Sequence, residues 1–159
     1  MLESLKSNKE RWGGVSDIID RWLNERQELI LLYVAINGLD EFTPADTPVN
    51  IKVKAFCQVL VDYVSAGHFE VYEQLINEAK ELNDDEAVQL AEQLIPRIQG
   101  ITEHALNFND DYAQDEYSPG VMNNLPKALS ALGEHLEERF QLEDHLIEVL
   151  HNNHKALVV

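Results

Sequence analysis

The sequence predicts an all-α protein, an up-and-down four-helix bundle with a short extra N-terminal helix. Apolar residues recur at spacings of three and four through most of the 159 residues, which is the helical period, and strand patterns are nearly absent. The segments between the helical stretches are short, as in a bundle of sequential neighbours. The length and the hydrophobic content of 45% fit one domain over residues 1–159 that needs neither metal nor disulfide to build its core.

Glycine and proline set the bounds of the first helices. We expect a short helix over residues 2–11 that ends at Gly13 and Gly14, followed by a long helix over residues 15–37. Asn37 and Gly38 should stop that helix. The prolines of residues 43–48 predict a loop, because proline removes a backbone donor and clashes with the preceding turn.

Glycine, proline and acidic residues also mark the boundaries of the later helices. A third helix should run over residues 50–65, bend or break at Ala66 and Gly67, and resume from His68. The acidic residues 83–86 resemble the capped start of a fourth helix, because carboxylates favour the positive end of the helix dipole. That helix should pass Gly100 with a kink at Pro96. Residues 118–120 separate it from the last helix, expected over residues 121–153.

Charge and cysteine content restrict the partners and the compartment. The chain has 29 acidic and 12 basic residues, a formal net charge of −17, which repels phosphate backbones. We therefore expect no direct contact with nucleic acid, and a basic protein as the partner. The single cysteine, Cys57, fits a reducing cytoplasm, and no uncharged run approaches the ~20 residues of a membrane span. A cytoplasmic protein without a membrane segment is the expectation.

Charged residues interrupt two apolar seams near the middle of their helices. The last helix gives the seam Leu129, Leu132, Leu136, Arg139, Glu143, Leu146 and Leu150, and the second gives Val15, Ile18, Trp22, Glu25, Leu29, Leu32 and Ile36, with Arg26 beside Glu25. Two interpretations remain open. Either the seam drifts by one residue and the charges reach solvent, or they meet in a buried polar layer, which is costly unless they pair.

Sequence motifs for catalysis and for metal binding are missing. There is no phosphate loop, dinucleotide fingerprint or nucleophile elbow, so we expect a protein that is not an enzyme and needs no cofactor. A bundle metal site needs Glu-x-x-His on two helices, and only Glu148 with His151 matches. The alternative function is a histidine phosphotransfer bundle with His68 as phosphoacceptor, although its sequence neighbours supply no basic residue to hold a phosphate.

Three segments taken together resemble the Rsd/AlgQ family, regulators of sigma D that act as anti-sigma factors. They are DRWLNER at residues 20–26, FCQVLVDYVSAGHF at 56–69 followed by Tyr72 and Glu73, and LGEHLEERFQLED at 132–144. The resemblance covers nearly the whole chain, and residues 10–15 look closer to the AlgQ branch. The departures lie in residues 41–50 and 107–120.

The resemblance implies a partner and a set of contact residues. It implies binding to the basic C-terminal helix-turn-helix region of the primary sigma factor, sequestering it from core RNA polymerase and promoter DNA in stationary phase. The strong negative charge agrees with such a partner. The residues that the resemblance implies are Asp62, Trp22, Arg21, Tyr63, His68, Arg26, Arg139 and Glu143.

Each of these residues also has a structural interpretation. Trp22 lies on the apolar seam and fits a core position with one exposed edge. Asp62 could simply pair with Arg26 or Arg139, and His68 could cap the broken helix. The acidic runs could serve solubility alone. Glu78, outside the implied surface, is expected on a solvated face.

Overall fold

A computed structural model describes residues 2–37 and 48–157, with side chains described over residues 12–37 and 48–155. Its helices are α1 (Leu2–Ile36), α2 (Val49–Ala66), α3 (Tyr72–Glu81), α4 (Asp85–Tyr112) and α5 (Pro119–Leu150). A π-helical segment, Gly67–Val71, joins α2 to α3, and a 3₁₀ segment, Asn152–Leu157, follows α5. The all-α bundle is confirmed.

Two boundaries differ from the expectation. Gly13 and Gly14 lie inside α1, so residues 2–11 begin the first long helix and form no separate one. Glycine costs about 1 kcal/mol in a helix interior, which weakens a helix without ending it. No break occurs at Ala66 and Gly67, where the π segment carries one continuous rod from α2 into α3. The predicted loop at residues 43–48 lies outside the described residues, except Pro48.

The helical rods pack as α1 on α2, α2 on α4 and α4 on α5, and α3 contacts both α4 and α5. Their shared core holds one aromatic group near the π segment, where Trp22 stacks on Tyr63 at a centroid distance of 4.9 Å, and another around Phe56 and Phe108, whose ring centroids lie 6.0 Å apart. Asp84 caps α4, since its side chain accepts from the backbone N–H of Ala87. Within the described residues, none of the helices has the length and apolar character to cross a membrane.

Candidate functional site

Arg139 and Glu143 lie in the middle of the bundle and not on its surface. Both are on α5, one turn apart, and only 0% and 1% of their surfaces are exposed. Arg139 Nε donates to Glu143 Oε2 at 3.1 Å, and Arg139 Nη1 donates to the Thr102 hydroxyl at 2.5 Å. The structure thus decides between the two interpretations of the interrupted seam. The charges form a buried polar layer.

Two tyrosines complete the pairing of Glu143. Tyr63 from α2 donates its hydroxyl hydrogen to Glu143 Oε1 at 2.6 Å, and Tyr72 from α3 donates to Oε2 at 2.5 Å. Each phenol oxygen also accepts from an arginine, Tyr63 from Arg26 Nε and Tyr72 from Arg139 Nη2, both at 3.0 Å. The carboxylate therefore receives a full set of donors, as a buried charge requires.

Arg26 connects this polar layer to the surface. It lies on α1 with its side chain 13% exposed, 3.5 Å from Glu143 Oε1 and 2.5 Å from Asp144 Oδ1. Its guanidinium also lies 4.8 Å from the ring centroid of Phe140, within the range of a cation–π contact. Arg26 thus links the buried Glu143 to the exposed Asp144.

Two opposing effects set the pKa values in the buried polar layer: burial disfavours charged groups, and pairing with neighbouring groups favours them. Burial disfavours the charged form of Arg139, but Glu143 and the tyrosines outweigh it and hold its pKa above the usual value. Burial raises the pKa of Glu143, against the opposing effect of Arg139 and the tyrosine hydroxyls. Burial and then the Glu143 charge raise the pKa of Tyr63 well above 10. Both phenols therefore stay protonated and serve as donors.

Trp22 packs between the polar layer and the π segment. Its indole N–H donates to the Tyr63 carbonyl at 3.1 Å, and only 2% of the residue is exposed. A Cβ on Gly67 would lie 3.0 Å from Trp22 Cζ2 and 3.1 Å from the Tyr72 hydroxyl oxygen. Trp22 and Tyr72 would have to move by a few tenths of an ångström to make room for an alanine here. Trp22 is a core residue, as its structural interpretation supposed, but it lacks the exposed edge that was expected.

An acidic surface lies over this core, formed by Glu25 and Glu28 of α1, Asp62 of α2 and Glu70 of the π segment. Asp62 is exposed and makes no hydrogen bond or ion pair with the described residues, so it pairs with neither Arg26 nor Arg139. Burial raises the pKa of Glu25, and the charges of Asp62, Glu28 and Glu70 raise it further. Glu25 thus belongs to this acidic surface, and the expectation that it joins the buried layer is wrong.

Arg21 is the basic residue that borders the acidic surface. It is exposed on α1 and lines a cleft of about 110 Å³ with Trp22, Glu25 and Glu70. Its charge acts on Glu25 in the direction that lowers the pKa, and the acidic neighbours outweigh it.

His68 is exposed in the π segment, on a different cleft. This cleft has a volume of about 340 Å³ and is lined by Val64, Ser65, His68, Phe69, Gln99, Thr102, Glu103 and Leu106. The lining contains one carboxylate and neither lysine nor arginine. A phosphoryl group on His68 would therefore find no cation among these residues. Phosphotransfer remains an alternative without a supporting contact.

Sequence reasoning placed Glu78 wrongly. This residue is 7% exposed, and its carboxylate lies between His151 and His154, which the sequence pattern gave no reason to bring together. The only available signal was the spacing of three between the two histidines near the chain end, and that signal is weak. Among the described residues, no group of three or more histidines, cysteines or carboxylates is arranged to hold a metal ion.

Comparison with known proteins identifies the class of protein. The family described as regulator of RNA polymerase sigma(70) subunit, Rsd/AlgQ, matches residues 1–151. A regulator of sigma D from Enterobacter sp. (strain 638) is 38% identical over 158 residues, covering 98% of this chain and 94% of that protein. One from Yersinia pseudotuberculosis serotype O:1b (strain IP 31758) is 36% identical over 149 residues, covering 93% and 88%. These are regulators of an RNA polymerase sigma factor.

The chain belongs to the Rsd/AlgQ family. This confirms the family resemblance of the three segments described above. Membership of the family implies a regulatory role and an interaction with a sigma factor.

Proposed function

We propose that this chain is a cytoplasmic, non-catalytic anti-sigma factor that binds the C-terminal helix-turn-helix region of the primary sigma factor. Binding would sequester that region from core polymerase and from promoter DNA and would favour alternative sigma factors in stationary phase. The proposal takes the sigma region from the family resemblance. The observation on this molecule that supports it is the acidic surface around Asp62.

Charge complementarity supports the choice of partner. A helix-turn-helix reader presents basic side chains to DNA phosphates, and an acidic protein surface can take the place of those phosphates. Asp62 is exposed and has no internal partner among the described residues. A partner arginine could therefore form a charge-assisted hydrogen bond with it without breaking an existing one.

The implied contact residues divide into two groups by burial. Asp62, Arg21 and His68 are exposed and can touch a partner directly, whereas Trp22 and Tyr63 are buried. The buried residues, together with Arg139 and Glu143, would then act by fixing the position of α2 against α1 and α5. Arg26, at the edge of the layer, can do both.

The experiment compares two charge reversals in binding to the purified C-terminal region of the primary sigma factor. Asp62→Arg puts a positive charge where the partner is positive, and we expect the Kd to rise at least about 100-fold. Glu92→Arg on α4 is the matched control, because Glu92 is exposed and forms no hydrogen bond or ion pair with the described residues. Its Kd should stay within about threefold of wild type.

Two outcomes would contradict the proposal. If both variants fold and bind as wild type does, Asp62 is not a contact residue. If wild type itself fails to bind the sigma region at micromolar concentration, the anti-sigma function fails. Phosphate incorporation at His68 from a phosphorelay would instead support the alternative.

A further inference from the structure

A second buried polar cluster is formed by residues outside the set that the family resemblance implies. Glu78 on α3 accepts at both oxygens, with Oε1 2.8 Å from His151 Nδ1 and Oε2 3.3 Å from His154 Nδ1. His154 Nε2 lies 2.8 Å from Asp84 Oδ2. The other oxygen of Asp84 accepts from the Ala87 N–H at 3.1 Å and caps α4.

The hydrogen bonds define the protonation state of His154. Both of its ring nitrogens face carboxylate oxygens, and the residue is only 2% exposed. A neutral imidazole has one donor and one acceptor, so it could satisfy only one of the two carboxylates. With Glu78 and Asp84 both ionised, the imidazolium form is the one that donates a hydrogen bond to each carboxylate. Consistent with this, the His154 hydrogen bond and then the Ala87 N–H lower the pKa of Asp84.

His151 has the opposite protonation state. Its Nδ1 donates to Glu78, but its Nε2 is buried with no partner in the described structure. A proton there would be a buried donor without an acceptor, which favours the neutral ring. The Trp12 indole stacks on this imidazole at a centroid distance of 4.6 Å and an angle of 7°. Glu78, Asp84, His151 and His154 thus carry a net charge of −1, with the positive charge on His154.

We propose that these four residues form a proton-dependent clasp, which holds the 3₁₀ segment Asn152–Leu157 against the turn between α3 and α4 and opens when His154 loses its proton. A neutral His154 would direct a lone pair at one of the two carboxylates. That contact is repulsive and the buried carboxylate would lose its donor, so the segment would separate and let water reach the group.

The direction of the pH dependence follows from the groups that face His154. They are Glu78 from α3, Asp84 at the start of α4 and His151 at the end of α5; the neighbouring Asp85 and Lys155 are exposed. Both carboxylates stabilise the charged imidazole, so the clasp is closed while His154 is protonated. It opens as the pH rises and closes again as the pH falls, until Asp84 is itself protonated.

The test uses the full chain and two nuclear magnetic resonance measurements. The ¹⁵N shifts of the His154 ring should show both nitrogens protonated at pH 6. The protection factor of the His154 amide, which donates to the His151 carbonyl at 2.9 Å, should fall as the pH rises to 8.5. One linked proton gives a fall of up to about tenfold per pH unit.

Two substitutions separate the clasp from a general effect of pH. His154→Gln cannot gain a charge, so its protection factor should be low and independent of pH. His104→Gln is the matched control, since His104 is exposed on α4 and its ring stacks on that of His135, away from the clasp. This variant should keep the wild-type profile. Ring shifts of a neutral His154 at pH 6, or an unchanged pH profile in His154→Gln, would overturn the proposal.

A second variant keeps the test decisive if His154→Gln does not fold. Asp84→Asn retains a good N-cap for α4 but removes one charge that stabilises the imidazolium. The fall in protection should then move to lower pH. The same midpoint as wild type would contradict the clasp. These measurements involve no sigma factor, so their outcome does not depend on the proposed function.

Discussion

Arg139 and Glu143 form an ion pair inside the bundle, one helical turn apart, with neither side chain exposed to solvent. Such a pair contributes little compared with well-packed apolar residues, because the desolvation of both charges offsets their attraction. Removal of one partner is different, since the other charge then stays buried without compensation. The pair therefore makes the bundle sensitive to single substitutions at either position.

Arg139→Ala should lower the free energy of unfolding by about 3 to 5 kcal/mol, because Glu143 loses its closest charged donor, at 3.1 Å, and keeps only the longer contact of 3.5 Å with Arg26. The measurement is urea denaturation followed by circular dichroism. Arg97→Ala is the control, since Arg97 pairs with Glu138 at 3.2 Å on the surface, with side chains 60% and 47% exposed. That change should cost less than about 1 kcal/mol. Equal urea midpoints for the two variants would show that breaking the buried pair costs no more stability than breaking the surface pair.

Gly133→Ala should destabilise the protein by about 1 to 3 kcal/mol, because a new Cβ would overlap the hydroxyl of Tyr33. That hydroxyl donates to the Leu129 carbonyl at 2.9 Å, so the ring cannot move without losing the bond. Gly100→Ala on α4 meets no atom within 4 Å and should stabilise by about 0.5 to 1 kcal/mol. Thermal unfolding of both variants checks the opposite signs. A destabilised Gly100→Ala would contradict the open space at that position.

The Cys57 thiol should be inert in the folded protein. It is 1% exposed, and burial raises its pKa to about 12. At pH 8 this leaves roughly one thiolate in 10⁴ molecules, against about one in four for an exposed cysteine, so labelling should be about 10³-fold slower. Cys57→Ala combined with Ala55→Cys, at an exposed position of α2, is the reference for fast labelling. Rapid reaction of Cys57 without denaturant would show that the core opens locally.

As the ionic strength rises, the rate of association with the sigma factor should fall at lower salt concentrations than those that raise the rate of dissociation. The net charge of −17 and the acidic surface around Asp62 steer a basic partner over long range. Raising ionic strength from about 0.01 M to 0.15 M shortens the Debye length from about 30 Å to 8 Å and should reduce the association rate about tenfold or more. Stopped-flow kinetics measure both rates. An association rate independent of salt would restrict the acidic surface to a role in solubility.

Much of the fold could be predicted from apolar spacing, because helix-helix packing needs a continuous stripe. The same spacing located the charged interruptions at Arg139 and Glu143. It could not decide their burial, because the donors that make burial possible, Tyr63 and Tyr72, come from another part of the chain. No local pattern in the sequence indicates those contacts.

The errors have a common physical reason. Gly13 and Gly14 lower helix propensity only locally, and a long helix can tolerate that cost. Glu78 looks like any exposed glutamate in an acidic chain, whereas Glu25 falls on an apolar seam, and only the packing of other elements determines the surroundings of each. His151 and His154 reach Glu78 from the far end of the chain, at a separation that helical spacing does not report.

The π segment determines which way Tyr72 points. At about 100° per residue, nine residues of ordinary helix would place Tyr63 and Tyr72 about 180° apart, on opposite sides of the rod. The wider turn absorbs about one extra residue, so the two side chains differ by only about 80° and both reach the same carboxylate. The π-helical turn is therefore as essential to this pairing as the identity of the two tyrosines. Regular α-helix over the same number of residues would turn one phenol away and leave half of Glu143 unpaired.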